Sequence, residues 1–225
     1  MEILYLTDLH ENPNTIKFIQ DYLKKNNKGV VMIGGDVDSL SLTDKLVSIM
    51  NGTDRMAMVL GNHDYPVHME DRGILHGTTT MIGDYKVGGL GGAIPCFGPF
   101  EVSESEYAIL CKNMGPVDIL ISHEPPYHTA CDILTGTIDN GYHIGSKAIS
   151  NYIREKQPLL SLHGHIHESA GMSYIGKTLC LNAGTFKEGY YAKINIVGKK
   201  VVGELKFDKN LVPEKLPQFY TKERF

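Results

Sequence analysis

The chain has 225 residues, 42% of them hydrophobic and 21% charged, the proportions of an ordinary globular protein with one core of its own. A formal net charge of -4 argues against a nucleic-acid partner held by bulk electrostatics and leaves room only for a local basic groove. The opening MEILYLTDLH enters a strand at once, without the order of a secretory signal, and no apolar run approaches the ~20 residues that span a bilayer.

In chain order, Ile3 to Thr7 reads as a short apolar strand ending at Asp8. A helix follows from about Asn14 to Lys25, with Ile16, Phe18, Ile19, Tyr22 and Leu23 on its apolar face and Asn12-Pro13 as its start signal. Val30 to Ile33 is a second strand, closed by Gly34-Gly35-Asp36. A helix from about Thr43 to Met50 stops at Asn51-Gly52, and Met56 to Leu60 is a third strand running into Gly61-Asn62-His63-Asp64. Strand, helix, strand, helix, strand favours a parallel sheet with right-handed crossovers.

The middle of the chain changes character. Thr79 to Ile82 and Tyr85 to Leu90 flank Gly83-Asp84 as a hairpin, and a helix is expected around Glu104 to Lys112. Val117 to Ser122 is a buried strand ending at His123. Residues 124–145 read as one long polar loop, of a length that often carries function. Ser146 to Glu155 is helical, and Leu159 to Leu162 is a strand running into His163-Gly164-His165-Ile166-His167. Beyond Gly171 the pattern is antiparallel, with hairpins around Gly176-Lys177 and Gly198-Lys199-Lys200. The expectation is one domain over residues 1–225, its segment 208–225 lying as a tail over the surface.

Five polar clusters share one position, directly after an apolar strand: Asp8-Leu9-His10, Gly35-Asp36, Asn62-His63-Asp64, His123, and His165-Ile166-His167. In open α/β sheets the loops at the carboxyl ends of strands meet in one crevice, so these distant residues are expected to share a site. Asp8 and His10, and likewise His165 and His167, are two apart and face the same side of an extended segment. Carboxylate, imidazole and amide oxygen suit manganese, iron, zinc or nickel better than a soft metal. The four cysteines, Cys96, Cys111, Cys131 and Cys180, form no CxxC pair and read as reduced structural thiols, which points to the cytoplasm. So many donors exceed the needs of one tetrahedral ion. They suit two metals roughly 3.5–4 Å apart, the arrangement used for displacement at phosphorus.

The series DLH, GGD, GNHD, SHEPP and GHIH, in that order between positions 8 and 167, resembles the calcineurin-like metallophosphoesterase superfamily. The resemblance implies two facing mixed β-sheets flanked by helices. It also implies that Asp8, His10 and His167 hold a first divalent metal and that Asn62, His123 and His165 hold a second, with Asp36 bridging. Manganese is the first choice of metal, and iron, zinc or nickel the alternatives. A water or hydroxide between the metals would attack phosphorus in line. His63 would serve the leaving-group oxygen, oriented by Asp64 or Asp38.

GDVDSL lacks the Arg-Gly of the serine/threonine phosphatase pattern, and GNHD stands where that pattern has GNHE. The stretches HEPPYHT, YHIGSKAI, HGHIHESAG and NAGTFKEG resemble the small members grouped with cyclic-nucleotide phosphodiesterases. The expected substrate is therefore a small or cyclic-nucleotide phosphodiester. A nuclease and a catalytically retired, protein-binding scaffold are the alternatives. Against the scaffold, no metal ligand of the pattern is missing. His128, His143 and Arg72 are candidate substrate contacts, the first two for their place in the long loop and Arg72 for its planar, phosphate-matching fork near GNHD. His163 is expected to be a packed histidine, not an eighth ligand.

Overall fold

The computed structural model describes residues 1–95, 98–135 and 141–213. Its strands form two large sheets. The first has the order β13 (Lys200–Phe207), β12 (Tyr190–Val197), β1 (Glu2–Leu6), β2 (Val30–Ile33), β3 (Met56–Met58). The second runs β10 (Gly171–Ile175), β11 (Thr178–Asn182), β9 (Leu160–His163), β6 (Ile119–Ser122), β5 (Tyr85–Leu90), β4 (Thr78–Ile82). Strands β1, β2 and β3 are parallel, as are β5, β6, β9 and β11, whereas β4, β10, β12 and β13 pair antiparallel.

Alternation along the strands explains the layering. Ile3 and Tyr5 of β1 join Met32, Ile119, Ile121, Leu160, Leu162 and Leu181 in one apolar cluster between the sheets. Their neighbours Leu4, Leu6, Val31 and Ile33 face the other way, into a cluster shared with Ile19 of helix α1 (Thr15–Lys25) and Leu46 of helix α2 (Leu40–Asn51). Strands buried on both faces have no polar side to show, and they read as continuous apolar runs. Helices α3 (Glu104–Met114) and α4 (Lys147–Lys156) lie against the second sheet through Tyr107, Ile149 and Ile153. The result is the two mixed sheets flanked by helices that the motif series implies.

Four local expectations are corrected. Helix α2 starts at Leu40, not Thr43, because the Ser39 hydroxyl accepts from the Leu42 N–H and caps it a turn earlier. The segment beyond Gly171 is not wholly antiparallel, since β11 lies parallel to β9 in the second sheet. The loop 124–145 contains a two-stranded hairpin, β7 (Ile133–Leu134) with β8 (Tyr142–His143). The stretch after Asp208 is no loose tail as far as residue 213. Leu211 is buried, and its carbonyl accepts from the side-chain amides of Asn12 and Asn14. The rest of that expected tail, 214–225, lies outside the described residues.

Candidate metal centre

Each ligand candidate stands where a parallel strand ends. Strand β1 ends at Leu6, β2 at Ile33, β6 at Ser122 and β9 at His163, so Asp8, Asp36, His123 and His165 all emerge on one end of the paired sheets. The backbone there is bent out of strand geometry. Asp8, His10, Asp36, Asp38 and His165 have φ of 53°, 42°, 52°, 62° and 66°. Residues with a Cβ adopt that left-handed region at a cost of roughly 1–2 kcal/mol each. The cost falls at the turns that aim the side chains inward.

Two sets of donors result. In the first, donor atoms of Asp8, His10, Asp36 and His167 all lie within 4.8 Å of one another. His167 Nε2 is 3.1 Å from Asp8 Oδ1 and 3.1 Å from His10 Nε2. In the second, His123 Nε2 is 3.1 Å from Asn62 Oδ1 and 3.3 Å from Asp36 Oδ1. Asp36 therefore touches both sets. The His165 ring stands 5.3 Å from that of His123, and its backbone N–H donates to the Asp8 carboxylate. Every one of the seven predicted ligands is brought to this end of the fold.

Two histidines are fixed by the nitrogen that faces away. His10 Nδ1 donates to Asp38 Oδ2 at 2.7 Å, and His123 Nδ1 donates to the Gly34 carbonyl at 2.8 Å. Each ring then turns Nε2 toward the other donors, the orientation that metal-bound histidines have. Asp36, Asn62 and His123 converge within hydrogen-bond distance, with His123 Nε2 facing both oxygens. Burial alone would raise Asp36 and lower His123, yet their attraction outweighs it, holding Asp36 below the usual carboxylate range and pushing His123 up to about 10. Burial raises Asp8 too, but His167 holds it below its ordinary value. His165 is lowered to about 4 by burial and by His123, which keeps its ring neutral. The oxygen and nitrogen donors present fit hard or borderline divalent cations.

Neighbouring groups hold these turns. Thr7 Oγ1 donates to Asp8 Oδ2, and the Asp8 carbonyl accepts from Thr185 Oγ1 and the Lys187 N–H. Gly61 admits the close approach of Asp36, since a Cβ there would fall 2.0 Å from Asp36 Oδ1. Asn182, at the end of β11, donates through Nδ2 to the carbonyls of Cys131, Gly164 and Ile166 and so pins the turn carrying His165 and His167. The sequence reading missed Asn182. Its signal was the same as for the ligands, a polar residue closing an apolar strand.

The remaining candidates separate. His63 is exposed, its ring edge-on to His10 at 5.7 Å, and it borders a small cavity of about 90 Å³ lined by Asp38, Ser39, Leu40, Thr43 and Tyr65. The two suggested orienters are engaged elsewhere. Asp64 is buried, with Oδ1 accepting from the N–H groups of Val37 and Asp38 and Oδ2 from that of Gly61. Its carboxylate thus clamps the loops after β2 and β3, while burial and the Asp36 charge push it up to about 6. Asp38 serves His10 instead.

Arg72 forms an ion pair through Nη2 with Asp44 on α2. His128 and His143 meet each other at 4.5 Å between rings, and His143 Nδ1 donates to the buried Asp132 at 2.8 Å. Their hairpin is tied to the His167 turn, for Ser169 Oγ donates to the Ile133 carbonyl. His163 is buried and hydrogen-bonded to Ser122 Oγ at 2.8 Å, as expected of a packed histidine.

Comparison with known proteins gives this geometry a context. A family model described as calcineurin-like phosphoesterase matches residues 1–169. An uncharacterized protein of Methanocaldococcus jannaschii is 27% identical over 199 residues, 81% of this chain and 87% of that one. Among solved structures, protein TT1561 of Thermus thermophilus superposes with a TM-score of 0.62 at 18% identity, over 90% of this chain and 97% of the other. A novel archaeal phosphodiesterase gives 0.49 at 14% identity, over 92% and 100%. At such identities the structural likeness is one of fold.

Proposed function

The chain belongs to the calcineurin-like phosphoesterase family, and from that premise we propose that it hydrolyses small phosphodiesters with the help of two divalent cations. The observation that carries the reading is the convergence of Asp8, His10, Asp36 and His167, four donors from three separate strand ends, within 4.8 Å. Asp8, His10 and His167 would hold one cation and Asn62, His123 and His165 the other, with Asp36 shared. When bound, such cations supply Lewis-acid polarisation of phosphoryl oxygens and lower the pKa of water. Manganese is our first choice, because the donor set has no thiolate to favour a softer ion.

The chain's own residues do the rest. Asp38 and the Gly34 carbonyl each accept a hydrogen bond from Nδ1 of a histidine, so that Nε2 of His10 and of His123 keeps its lone pair for a cation. His63, exposed beside His10, holds a ring proton within reach of a leaving alkoxide and delivers it as the ester bond breaks. The His128 and His143 pair, tied to the His167 turn, is our choice for the substrate's outer contacts.

The whole chain acts as one domain in this reading, because β10 to β13, beyond the family match, complete both sheets. Among the described residues no helix is long and apolar enough to cross a membrane. The free, buried thiols of Cys111, Cys131 and Cys180 suit a cytoplasmic setting; Cys96 lies outside the described residues.

The test is hydrolysis of a chromogenic phosphodiester and its matching monoester by metal-stripped protein, with and without manganese. Manganese-dependent turnover with the diester preferred is expected. A monoester preference would overturn the substrate class. Silence with both esters, with metal binding verified, would overturn the enzymatic reading.

A further inference from the structure

The opposite end of the sheets carries a second polar feature that the metal centre does not use. A cleft of about 580 Å³ opens there, lined by the starts of β5, β6 and β9, the β10–β11 turn and the β12–β13 turn of the other sheet. Its walls present four lysines, Lys86, Lys156, Lys177 and Lys199, against one carboxylate, Asp118. In a chain of net charge -4 this is a concentration of positive charge.

Little on the protein neutralises it. Asp118 keeps its charge while Oδ2 accepts from the backbone N–H of Lys86, and Lys156 pairs with Glu155, so three lysines stand against one carboxylate. Among the described residues no ion pair engages Lys86, Lys177 or Lys199. Two of these lysines are held in place, Lys86 by Asp118 and Lys177 by a hydrogen bond of 2.7 Å from its N–H to Gln157 Oε1. A concave wall lined by one sign of charge focuses its field and concentrates counter-ions. The volume falls in the range of roughly 300–1,000 Å³ that holds small molecules, and the concavity does not match a flat membrane surface.

We propose that this cleft binds a small anion bearing two or more adjacent phosphates, either a free oligophosphate or the phosphate tail of a nucleotide. The site is separate from the metal centre. Strands of four to five residues lie between them, roughly 13–17 Å at about 3.3 Å per residue.

The test is titration of inorganic triphosphate, and in parallel adenosine triphosphate, into isotopically labelled protein in excess magnesium at 150 mM salt, followed by amide resonances. Saturable shifts are expected around Lys86, Lys177 and Lys199, in the wild-type protein and equally in Asp36→Asn. Equal binding of the two probes identifies a free oligophosphate as sufficient, and tighter binding of the nucleotide identifies its base as a further contact. The double variant Lys177→Glu/Lys199→Glu changes only exposed turn residues and should keep its phosphoesterase turnover while losing affinity by roughly tenfold or more. Shifts confined to the metal centre, shifts reproduced by sulfate at matched ionic strength, or unchanged affinity in the double variant would each overturn the proposal.

Discussion

The two ends of the same strands solve the problem of reversing the chain in opposite ways. At the far end the hairpin turns use glycine where φ is positive, Gly83 at 57°, Gly176 at 62° and Gly198 at 59°, and Gln157 at 50° is the exception, closing helix α4. A Cβ at Gly83 or Gly198 would meet nothing, so these turns are cheap and loosely determined. At the ligand end the same backbone region is occupied by Asp8, His10, Asp36, Asp38 and His165. Their side chains are buried or half-buried and tied by hydrogen bonds from both sheets. At the ligand end the surrounding bonds hold that left-handed backbone in place.

The comparison is most easily broken at Asp36, the one carboxylate that touches both donor sets. Asp36→Asn should abolish hydrolysis and lower the content of both metals, read by metal analysis beside turnover. Retained activity would remove the bridge from the account. His63→Ala comes next. Turnover should fall by about 10²–10⁴-fold, the usual share of a general acid, with metal content close to that of the wild type. Loss of metal in that variant would make His63 a ligand instead.

A smaller effect sharpens the contrast between ends. Asp38→Asn leaves a side chain that can donate to His10 Nδ1 and so favours the wrong tautomer. Metal affinity should drop about 10–100-fold, the scale of an outer hydrogen-bond partner, with folding intact by circular dichroism. The counterpart at the far end is Gly83→Ala. It should lower stability by about 1 kcal/mol in chemical denaturation, for the left-handed φ alone, and leave turnover unchanged. If Gly83→Ala impaired catalysis, or Asp38→Asn changed only stability, the division of labour between the ends would be wrong.

How much of this was legible beforehand depends on the range of the interaction. The five motifs were legible because each follows an apolar strand, and strand ends in a parallel sheet have nowhere to go but a common crevice. Helix α1 and the hairpin around Gly83 were legible for similar local reasons, periodicity and turn chemistry. The hairpin inside 124–145 was not, because β7 and β8 are two residues each and leave no period to read. Asp38 illustrates the harder failure. The sequence left Asp38 and Asp64 open as partners for His63, whereas folding delivered Asp38 to His10, 28 residues earlier.

By itself, then, the sequence determined the order of the main strands and helices, the burial of strands on both faces, and which polar residues close them. Those follow from side-chain chemistry and period, which are local properties. Only the tertiary structure decided that Asp64 clamps loops, that Arg72 is committed to Asp44, that Asn182 braces the His165 turn and that four lysines share one cleft. Each of these is a contact between segments distant in the chain. Such contacts are fixed by how the sheets stack and twist, not by any pattern the segments carry alone.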